Sequence, residues 1–276
     1  MSAPETFAPS GIVTLTTDFG TRDAYVGAMK GVITSIAPEL RIHDVAHQIE
    51  PQNIEHGATV LRGACPWFPS GTVHVAVVDP GVGTARASVV ILAGGHAFVG
   101  PDNGLFGPVV NRLGGVQAAY SIERLGGLLR HLRRILPSTF EGRDLFAPVA
   151  ATLAAGLLEP SAIGRPHVPM ELPVTEPVHV PGAIEGRIAY YDRFGNAITN
   201  VDVRRLAHLG RPPHIVCLPG GERLELRQTY GDAAPGEILA LISSEDFVEI
   251  AVRDGSARTR LALDTGTTIR VEGARR

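Results

Sequence analysis

The run GIVTLTT at residues 11–17 decides the fold. It is apolar and rich in β-branched residues, and Gly11 and Asp18 bound it, a pattern typical of a strand buried on both faces. Residues 25–36 then carry apolar side chains at helical spacing and end before Pro38. A buried strand followed by an amphipathic helix predicts an α/β layer fold.

The alternation of strand and helix continues outward from this run to about residue 160. Further strands are predicted at 40–45 (LRIHDV), 72–78 (TVHVAVV), 88–93 (SVVILA) and 96–99 (HAFV). Gly94-Gly95 predicts a hairpin between the last two strands. Asn53 and Asp144 are candidate N-caps of two more helices. We therefore expect an N-terminal α/β domain with a largely parallel sheet, over residues 1–162.

The pattern changes after residue 162. Prolines recur along residues 163–182, which predicts an extended linker. Short strand candidates then dominate residues 183–276, and Gly220-Gly221 marks a turn between two of them. The strand candidates are 184–190, 197–201, 214–218, 223–227, 238–242, 247–252 and 267–271. These residues predict a C-terminal all-β, barrel-like domain.

Composition excludes several classes of protein. Of 276 residues, 44% are hydrophobic and the mean hydropathy is +0.12, which rules out wholesale disorder. A net charge of −3 gives no general case for binding nucleic acid or an anionic membrane. Lys30 is the single lysine, so no G-x-x-x-x-G-K-[ST] phosphate-binding loop is present. With neither a leader pattern nor a long apolar run, we expect a cytoplasmic location.

Three polar segments follow predicted strands or precede a helix, and each has a structural alternative. Residues 16–20 (TTDFG) follow the first strand, where Asp18 could accept both hydroxyls of a ribose or simply cap the next helix. Residues 79–86 (DPGVGTAR) could pair Asp79 with Arg86, either for chemistry or as a structural ion pair in a turn.

The third polar segment is residues 138–144 (STFEGRD). Asp144 could serve only as a helix cap, whereas Phe140 beside two acids suits a pocket wall around a cationic, aromatic ligand. His43 and His47 have the i,i+4 spacing of metal ligands, but they fall at a strand end and loop, so we expect no metal and no cofactor.

Two polar turns stand out in the second half. Residues 191–200 (YDRFGNAITN) and 243–251 (SSEDFVEIA) each join strand candidates, and each could be only a hairpin bend. Polar turns in both predicted domains favour a site built where domains meet.

Taken together, these motifs resemble the S-adenosyl-L-methionine (SAM) hydrolases, also called SAM hydroxide adenosyltransferases, which are related to the fluorinase and chlorinase. The resemblance rests on several segments in matching order from about residue 11 to 271. They are TTDFG (16–20), VVDPGVGTAR (77–86), PDNG (101–104), STFEGRDLFAPVAA (138–151), DRFGNAITN (192–200) and SSEDFVEIAV (243–252).

The resemblance implies hydrolysis of SAM to adenosine and L-methionine by attack of water at the ribose C5′. It also implies a homotrimer with sites at subunit interfaces, which we expect to combine Asp18 and Asp79 of one chain with Asp192 and Ser244 of a neighbour. The implied binding roles are the ribose hydroxyls for Asp18, the methionine amino group for Asp192, and framing of the ligand for Asn196 and Ser244. Phe140 and Tyr230 are expected to flank the adenosine, and Glu249 and the backbone of Val252 to border the adenine.

The hydrolases use an Asp-Arg-His constellation, and this chain departs from it at one position. Asp79 and Arg86 fall on the first two positions, and Glu141 occupies the position of the histidine. We expect Glu141 to lie beside Asp79 and Arg86 and to support water positioning, with Asp79 the more important group. Two alternatives stay open: a catalytically weak SAM- or adenosine-binding protein, because of Glu141, and a halide adenosyltransferase. The second is disfavoured because the halide enzymes lack an acid at the Asp79 position.

Overall fold

The computed structural model describes residues 7–122, 139–171 and 176–273. The chain divides into two compact units, Met1–Pro173 and Val174–Arg276. Ser138 and residues 172–175 of the predicted linker lie outside the described residues. No helix within the described ranges is long and apolar enough to cross a bilayer.

The first unit is a six-stranded sheet with helices on both faces. Its elements are β1 (Ile12–Thr17), α1 (Tyr25–Ile36), β2 (Arg41–Ala46), α2 (Ile54–Ala64), β3 (Val73–Val77), β4 (Ser88–Ala93), β5 (His96–Pro101), α3 (Gly107–Arg112), β6 (Ala118–Ser121) and α4 (Ala147–Ala154). The strand order is β2-β1-β3-β5-β4-β6. The first four strands in this order are parallel, and β4 and β6 add an antiparallel edge through the predicted Gly94-Gly95 hairpin. The predicted α/β domain with a largely parallel sheet is confirmed.

Alternate side chains of the central strands enter two separate cores. In and after β3, Val75 and Val77 pack in the cluster that includes Met29 of α1, whereas Ala76 and Val78 pack in the opposite cluster with the α2 and α3 side chains. Each large aliphatic side chain buried in this way contributes on the order of 1.5–3 kcal/mol. Burial of both sheet faces explains why the strands read as continuous apolar runs.

The helix starts confirm one predicted cap and overturn two. Asn53 caps α2, and its Oδ1 accepts a hydrogen bond from His56 N at 2.9 Å. Asp144 caps nothing, because it lies within a single π-helical turn, Gly142–Phe146, and its carboxylate instead accepts hydrogen bonds from Arg143 Nε and Nη2 at 2.6 and 2.8 Å. The alternative of Asp18 as a cap is also wrong, since α1 begins after Ala24 without a side-chain cap.

The first part of the Pro-rich segment belongs to the first unit. Ile163 is buried in the core, and His167 N donates to Ala119 O of β6 at 2.9 Å. Asp102, in the PDNG turn, accepts a hydrogen bond from Met170 N and contacts His167 Nε2, both at 2.7 Å. Residues 163–170 therefore have fixed partners in this unit.

The second unit contains a closed β-barrel. Its elements are β7 (Val178–Val180), β8 (Ala183–Tyr191), β9 (Ala197–Asp202), α5 (Val203–Leu206), β10 (Ile215–Cys217), β11 (Arg223–Arg227), β12 (Ile238–Ile242), β13 (Phe247–Val252), α6 (Ala257–Leu261) and β14 (Thr268–Glu272). Seven strands pair in the order β14-β10-β11-β12-β13-β9-β8, and β8 pairs back onto β14 to close the ring. The predicted barrel-like domain is confirmed, and β7 adds a short strand to β8 from within the segment predicted as a linker.

Candidate active site

Strand pairing brings the first two polar segments to one edge of the sheet. β1 and β3 are parallel neighbours, with Thr17 opposite Val77. Asp18 and Asp79 therefore leave adjacent strands at their carboxyl ends, where ligands bind in open α/β sheets. This register is the geometric reason that residues 61 positions apart in sequence, Asp18 and Asp79, share one end of the sheet.

A compact loop returns Arg86 to the carboxylate of Asp79. Val82 N donates to Asp79 O at 3.3 Å, and Thr84 N and Oγ1 donate to Gly81 O at 3.1 and 2.7 Å. These turns reverse the chain, so that Arg86 Nε reaches Asp79 Oδ1 at 2.9 Å and Arg86 Nη2 bonds Asp79 Oδ2. The pair is bidentate, which is the strongest geometry for guanidinium and carboxylate.

Glu141 completes the cluster from a different part of the chain. Its Oε2 accepts a hydrogen bond from the same Nη2 of Arg86. Arg86 Nη1 donates to Ala87 O at 3.2 Å and to Ser88 Oγ at 2.9 Å, so all five N–H donors of Arg86 have partners. Because every donor is occupied, the guanidinium is held in one orientation.

The cluster is largely buried and carries a net negative charge. The side chains of Asp79, Arg86 and Glu141 are 5%, 10% and 23% exposed, so Glu141 is the one that faces solvent most. Burial alone would lower the pKa of Arg86, but hydrogen bonds to Asp79 and Glu141 outweigh it and raise that pKa. A permanently charged guanidinium between two carboxylates leaves one excess negative charge when both are ionised.

The two carboxylates differ in what they can still bind. Asp79 Oδ1 accepts from both Arg86 Nε and Gly81 N, the latter at 3.2 Å, and Oδ2 accepts from Arg86 Nη2. Glu141 uses Oε2 on Arg86, which leaves Oε1 for a water or a ligand. Asp79 is therefore the anchor of the guanidinium, and Glu141 is the carboxylate with spare accepting capacity.

Asp18 is oriented by the loop that follows β2. Its Oδ2 accepts a hydrogen bond from Gln52 N at 2.8 Å.

The two histidines with the i,i+4 spacing of metal ligands have separate partners. His47 Nδ1 lies 2.9 Å from Thr17 Oγ1, and His47 Nε2 lies 2.9 Å from Asp44 Oδ1. The exposed His43 packs its ring against Phe68. His, Cys, Asp and Glu residues form no group of three or more suited to a metal ion in the described part of the chain.

Phe140 belongs to an aromatic cluster that sequence reasoning recognised only in part. Its ring centroid lies 5.7 Å from that of Phe19 and 5.1 Å from that of Tyr25, both edge-on. The guanidinium carbon of Arg143 lies 5.1 Å from the Phe140 centroid, which shows that this ring accepts a cation. Tyr25 joins this cluster from the exposed first position of α1, which the helical pattern alone did not single out.

In the second unit, Asp192 and Asn196 form one turn. Asp192 Oδ1 accepts from the backbone N of Phe194 and of Asn196, both at 2.8 Å, and Oδ2 accepts from Asn196 Nδ2 at 3.0 Å. Gly195 has φ of +83°, and a Cβ there would lie 2.1 Å from Ser256 Oγ, so both conformation and space demand glycine. The structure thus brings these two predicted residues together.

Tyr230 and Glu249, which were predicted separately as binding residues, contact each other in this unit. Tyr230 Oη donates to Glu249 Oε1 at 2.6 Å, and Glu249 is 3% exposed. Burial raises the pKa of Glu249, with further increases from the charges of Asp192 and Glu245, while the Tyr230 hydrogen bond opposes them. Glu245, which sequence reasoning missed, thus adds to a concentration of acidic groups that would attract a cationic ligand.

Ser244 precedes strand β13 and Val252 ends it. Ser244 lies in the turn before β13, but the turn is held by its neighbour Ser243, whose Oγ accepts from Glu245 N and Phe247 N at 3.3 Å. Val252 is the last residue of β13. Glu245, in the same turn, accepts a hydrogen bond on its Oε2 from Tyr190 Oη at 3.5 Å.

Comparisons with known proteins give a consistent result over both units. The model of the SAM hydroxide adenosyltransferase N-terminal domain matches residues 13–164, and that of the C-terminal domain matches residues 186–270. The chain is 37% identical to the (R)-S-adenosyl-L-methionine hydrolase of Salinispora tropica, over 96% of this chain and 98% of that protein. It is 39% identical to the protein of the same name from Thermus thermophilus, over 92% and 96%.

More distant relatives and a solved structure complete the comparison. The fluorinase of an Actinoplanes species is 27% identical over 95% of this chain and 98% of that protein. A crystal structure of an uncharacterised conserved protein from Thermotoga maritima has a TM-score of 0.83 at 34% identity and covers 94% of this chain and 99% of that one. The hydrolases are therefore clearly more similar to this chain than the fluorinase is.

Proposed function

The chain belongs to the SAM hydroxide adenosyltransferase family, and from that premise we propose that it is an enzyme that hydrolyses SAM to adenosine and L-methionine. The observation that carries this proposal is the buried cluster of Asp79, Arg86 and Glu141 at the carboxyl end of the parallel strands. Its geometry suits a reaction in which water is the nucleophile.

The sulfonium of SAM needs no acid catalyst, because it leaves as a neutral thioether. Water oxygen attacks the ribose C5′, the C5′–S bond breaks, and its electron pair stays on the methionine sulfur. The proton lost by the water passes to a carboxylate and then to solvent. The barrier lies in presenting a partly desolvated water in line with C5′, so orientation and proton acceptance are what the protein must supply.

Asp79 and Glu141 divide this work in the proposed mechanism. Asp79 holds Arg86 with both oxygens, and Arg86 in turn holds Glu141 through Oε2. Glu141 Oε1 then accepts a hydrogen bond from the attacking water. Loss of Asp79 would release Arg86 and disturb the whole cluster, whereas loss of Glu141 would remove one acceptor, which supports the greater importance of Asp79.

The remaining residues are proposed to bind parts of SAM as the family resemblance implies. Asp18 accepts the ribose hydroxyls, and Phe140 packs beside the adenosine, consistent with its placement in an aromatic cluster that also accepts a cation. In the second unit, Asp192 is proposed to bind the methionine amino group, and Asn196 and Ser244 are proposed to frame the ligand. Tyr230, Glu249 and Val252 are proposed to border the nucleoside.

The charge of the site argues against the halide adenosyltransferase alternative. A fluoride or chloride ion would have to approach two carboxylates that share one guanidinium. Repulsion between like charges opposes that approach, whereas a neutral water or a cationic sulfonium is not repelled.

The decisive experiment is incubation of the purified protein with SAM in H₂¹⁸O, in the presence and absence of chloride and fluoride. Chromatography with mass detection should show adenosine carrying ¹⁸O at the 5′ hydroxyl and no halogenated nucleoside. A 5′-halo-adenosine would establish halide transfer instead. Binding of SAM without any nucleoside product would establish the catalytically weak binding protein.

Four finer features are part of the same proposal. The named hydrolases act on the (R) epimer, so we expect the (R) sulfonium to be consumed in preference to the (S) sulfonium of SAM. We expect a homotrimer with sites at subunit interfaces, which light scattering of the active protein tests; an active monomer would contradict it. We also expect a cytoplasmic location and turnover without a metal or cofactor, which persists after treatment with a chelator.

A further inference from the structure

A buried hydroxyl at the end of β1 is tied to a buried histidine. Thr17 is fully buried, and its Oγ1 lies 2.9 Å from Nδ1 of His47, which is itself 7% exposed. Thr17 directly precedes Asp18, so the contact fixes the backbone from which Asp18 projects. A buried imidazole needs hydrogen-bond partners on both ring nitrogens, so Nε2 of His47 also requires one.

The second nitrogen of His47 leads to an ion pair. His47 Nε2 lies 2.9 Å from Asp44 Oδ1, and Lys30 Nζ donates to Asp44 Oδ2 at 2.6 Å. Burial alone would raise the pKa of Asp44, but hydrogen bonds from His47 and Lys30 hold that pKa below its usual value. Asp44 thus remains an acceptor on both sides, and Lys30, the single lysine of the sequence, is committed to it.

Residues 47–52, which begin with His47, also form hydrogen bonds to the residues that follow β1. His47 O accepts a hydrogen bond from Gly20 N at 2.6 Å, and Gln52 N donates to Asp18 Oδ2 at 2.8 Å. Gln52 adopts a left-handed φ of +63°, which a non-glycine residue holds only where its surroundings impose it. Residues 47–52 therefore join the end of β1 at both of their ends.

We propose that Lys30, Asp44 and His47 are positioning residues for ribose recognition, which hold residues 47–52 against β1 so that Asp18 faces the ribose hydroxyls. The inference rests on the proposed role of Asp18. In this proposal the three residues act through the loop and not by contact with substrate. Their loss should weaken the contact between Asp18 and the ribose without removing the groups that act at C5′.

The test compares adenosine with 2′,3′-dideoxyadenosine, which lacks both ribose hydroxyls, by calorimetric titration. His47→Gln and Lys30→Met should each weaken adenosine binding, by about tenfold for His47→Gln and less for the partly exposed Lys30, and should leave dideoxyadenosine binding unchanged. In turnover of SAM the KM should rise more than kcat falls. Arg223→Met, which removes a comparable surface ion pair with Glu272 in the second unit, should change neither titration.

Asp18→Asn serves as the reference that separates this inference from its premise. If Asp18→Asn abolishes the preference for adenosine and the His47 and Lys30 variants do not reduce it, the positioning role is wrong while the role of Asp18 stands. An equal loss of affinity for both nucleosides would show a merely structural role and overturn the inference. If Asp18→Asn leaves the preference intact, or the unaltered protein shows none, both the ribose role of Asp18 and the inference fail.

Discussion

Acidification should destabilise the first unit through His74, which is buried as a neutral ring in β3. Its Nδ1 lies 2.7 Å from Thr14 Oγ1 and its Nε2 lies 3.1 Å from His96 Nδ1, with Phe98 stacked at a centroid distance of 5.1 Å. Burial, and secondarily the nearby His96, lowers the pKa of His74 to about 3. The partner of His74 Nε2 is thus another histidine. A carboxylate at that position would stabilise the protonated form of His74, whereas His96 does not.

The magnitude follows from the difference between folded and unfolded pKa values. The folded pKa is depressed below the ordinary histidine value of 6.5, so the unfolded chain binds the proton first and this stability is lost as pH falls from 6.5 toward 3. Each pH unit inside that window costs about 1.4 kcal/mol. Between pH 7 and pH 4.5, His74 alone should remove about 2.5 kcal/mol from the free energy of unfolding.

Urea unfolding followed by circular dichroism at 222 nm measures this loss, because α1–α4 all belong to the first unit. Carboxylates also titrate in acid, so the informative quantity is the difference between variants. His74→Gln keeps a hydrogen-bonding side chain without the titration and should lose about 2.5 kcal/mol less than the unaltered protein between the two pH values. His43→Gln, at an exposed ring, is the matched control. Equal acid losses for His74→Gln and the unaltered protein would refute the reasoning.

Three further predictions concern the site, a helix cap and a turn. Asp79→Ala should reduce adenosine release by at least about 10²-fold and Glu141→Ala by less, while Glu141→His should retain or raise it; wild-type release by Glu141→Ala would show that Glu141 is only a loop residue. Asn53→Ala should lower the free energy of unfolding by about 1 kcal/mol, whereas Asn53→Asp keeps the cap of α2 and should change it little, as urea titration would reveal. Gly195→Ala should destabilise the second unit by about 1–3 kcal/mol, because it adds both a left-handed φ penalty and a collision with Ser256 Oγ; an unchanged melting temperature would contradict this.

Local sequence patterns were sufficient where a structural feature depends on neighbours in the chain. The strands 223–227, 238–242 and 247–252 were predicted with the bounds they have in the barrel, and Asn53 was predicted as the cap of α2. Apolar periodicity and cap chemistry act over a few residues, so they can be read without a fold.

Local patterns failed where a competing partner or a short element decided the outcome. Asp144 has the chemistry of a cap, but the adjacent Arg143 takes its carboxylate and a π-helical turn moves the helix start to Ala147. The short helices α5 and α6 were missed because four or five residues give too little periodicity to detect.

The sequence by itself determined which chemical groups are present and in which order, and its motifs were enough to identify the family. Only the tertiary structure decided how those groups combine. Glu141 meets Arg86 across 55 residues, and β8 closes the barrel on β14 across a longer span, from Arg187 to Thr268. Such contacts depend on sheet register and on loops that return the chain, which are properties of the packed fold. That is why Asp79 emerges with both oxygens committed and Glu141 with one to spare, a distinction no local pattern encodes.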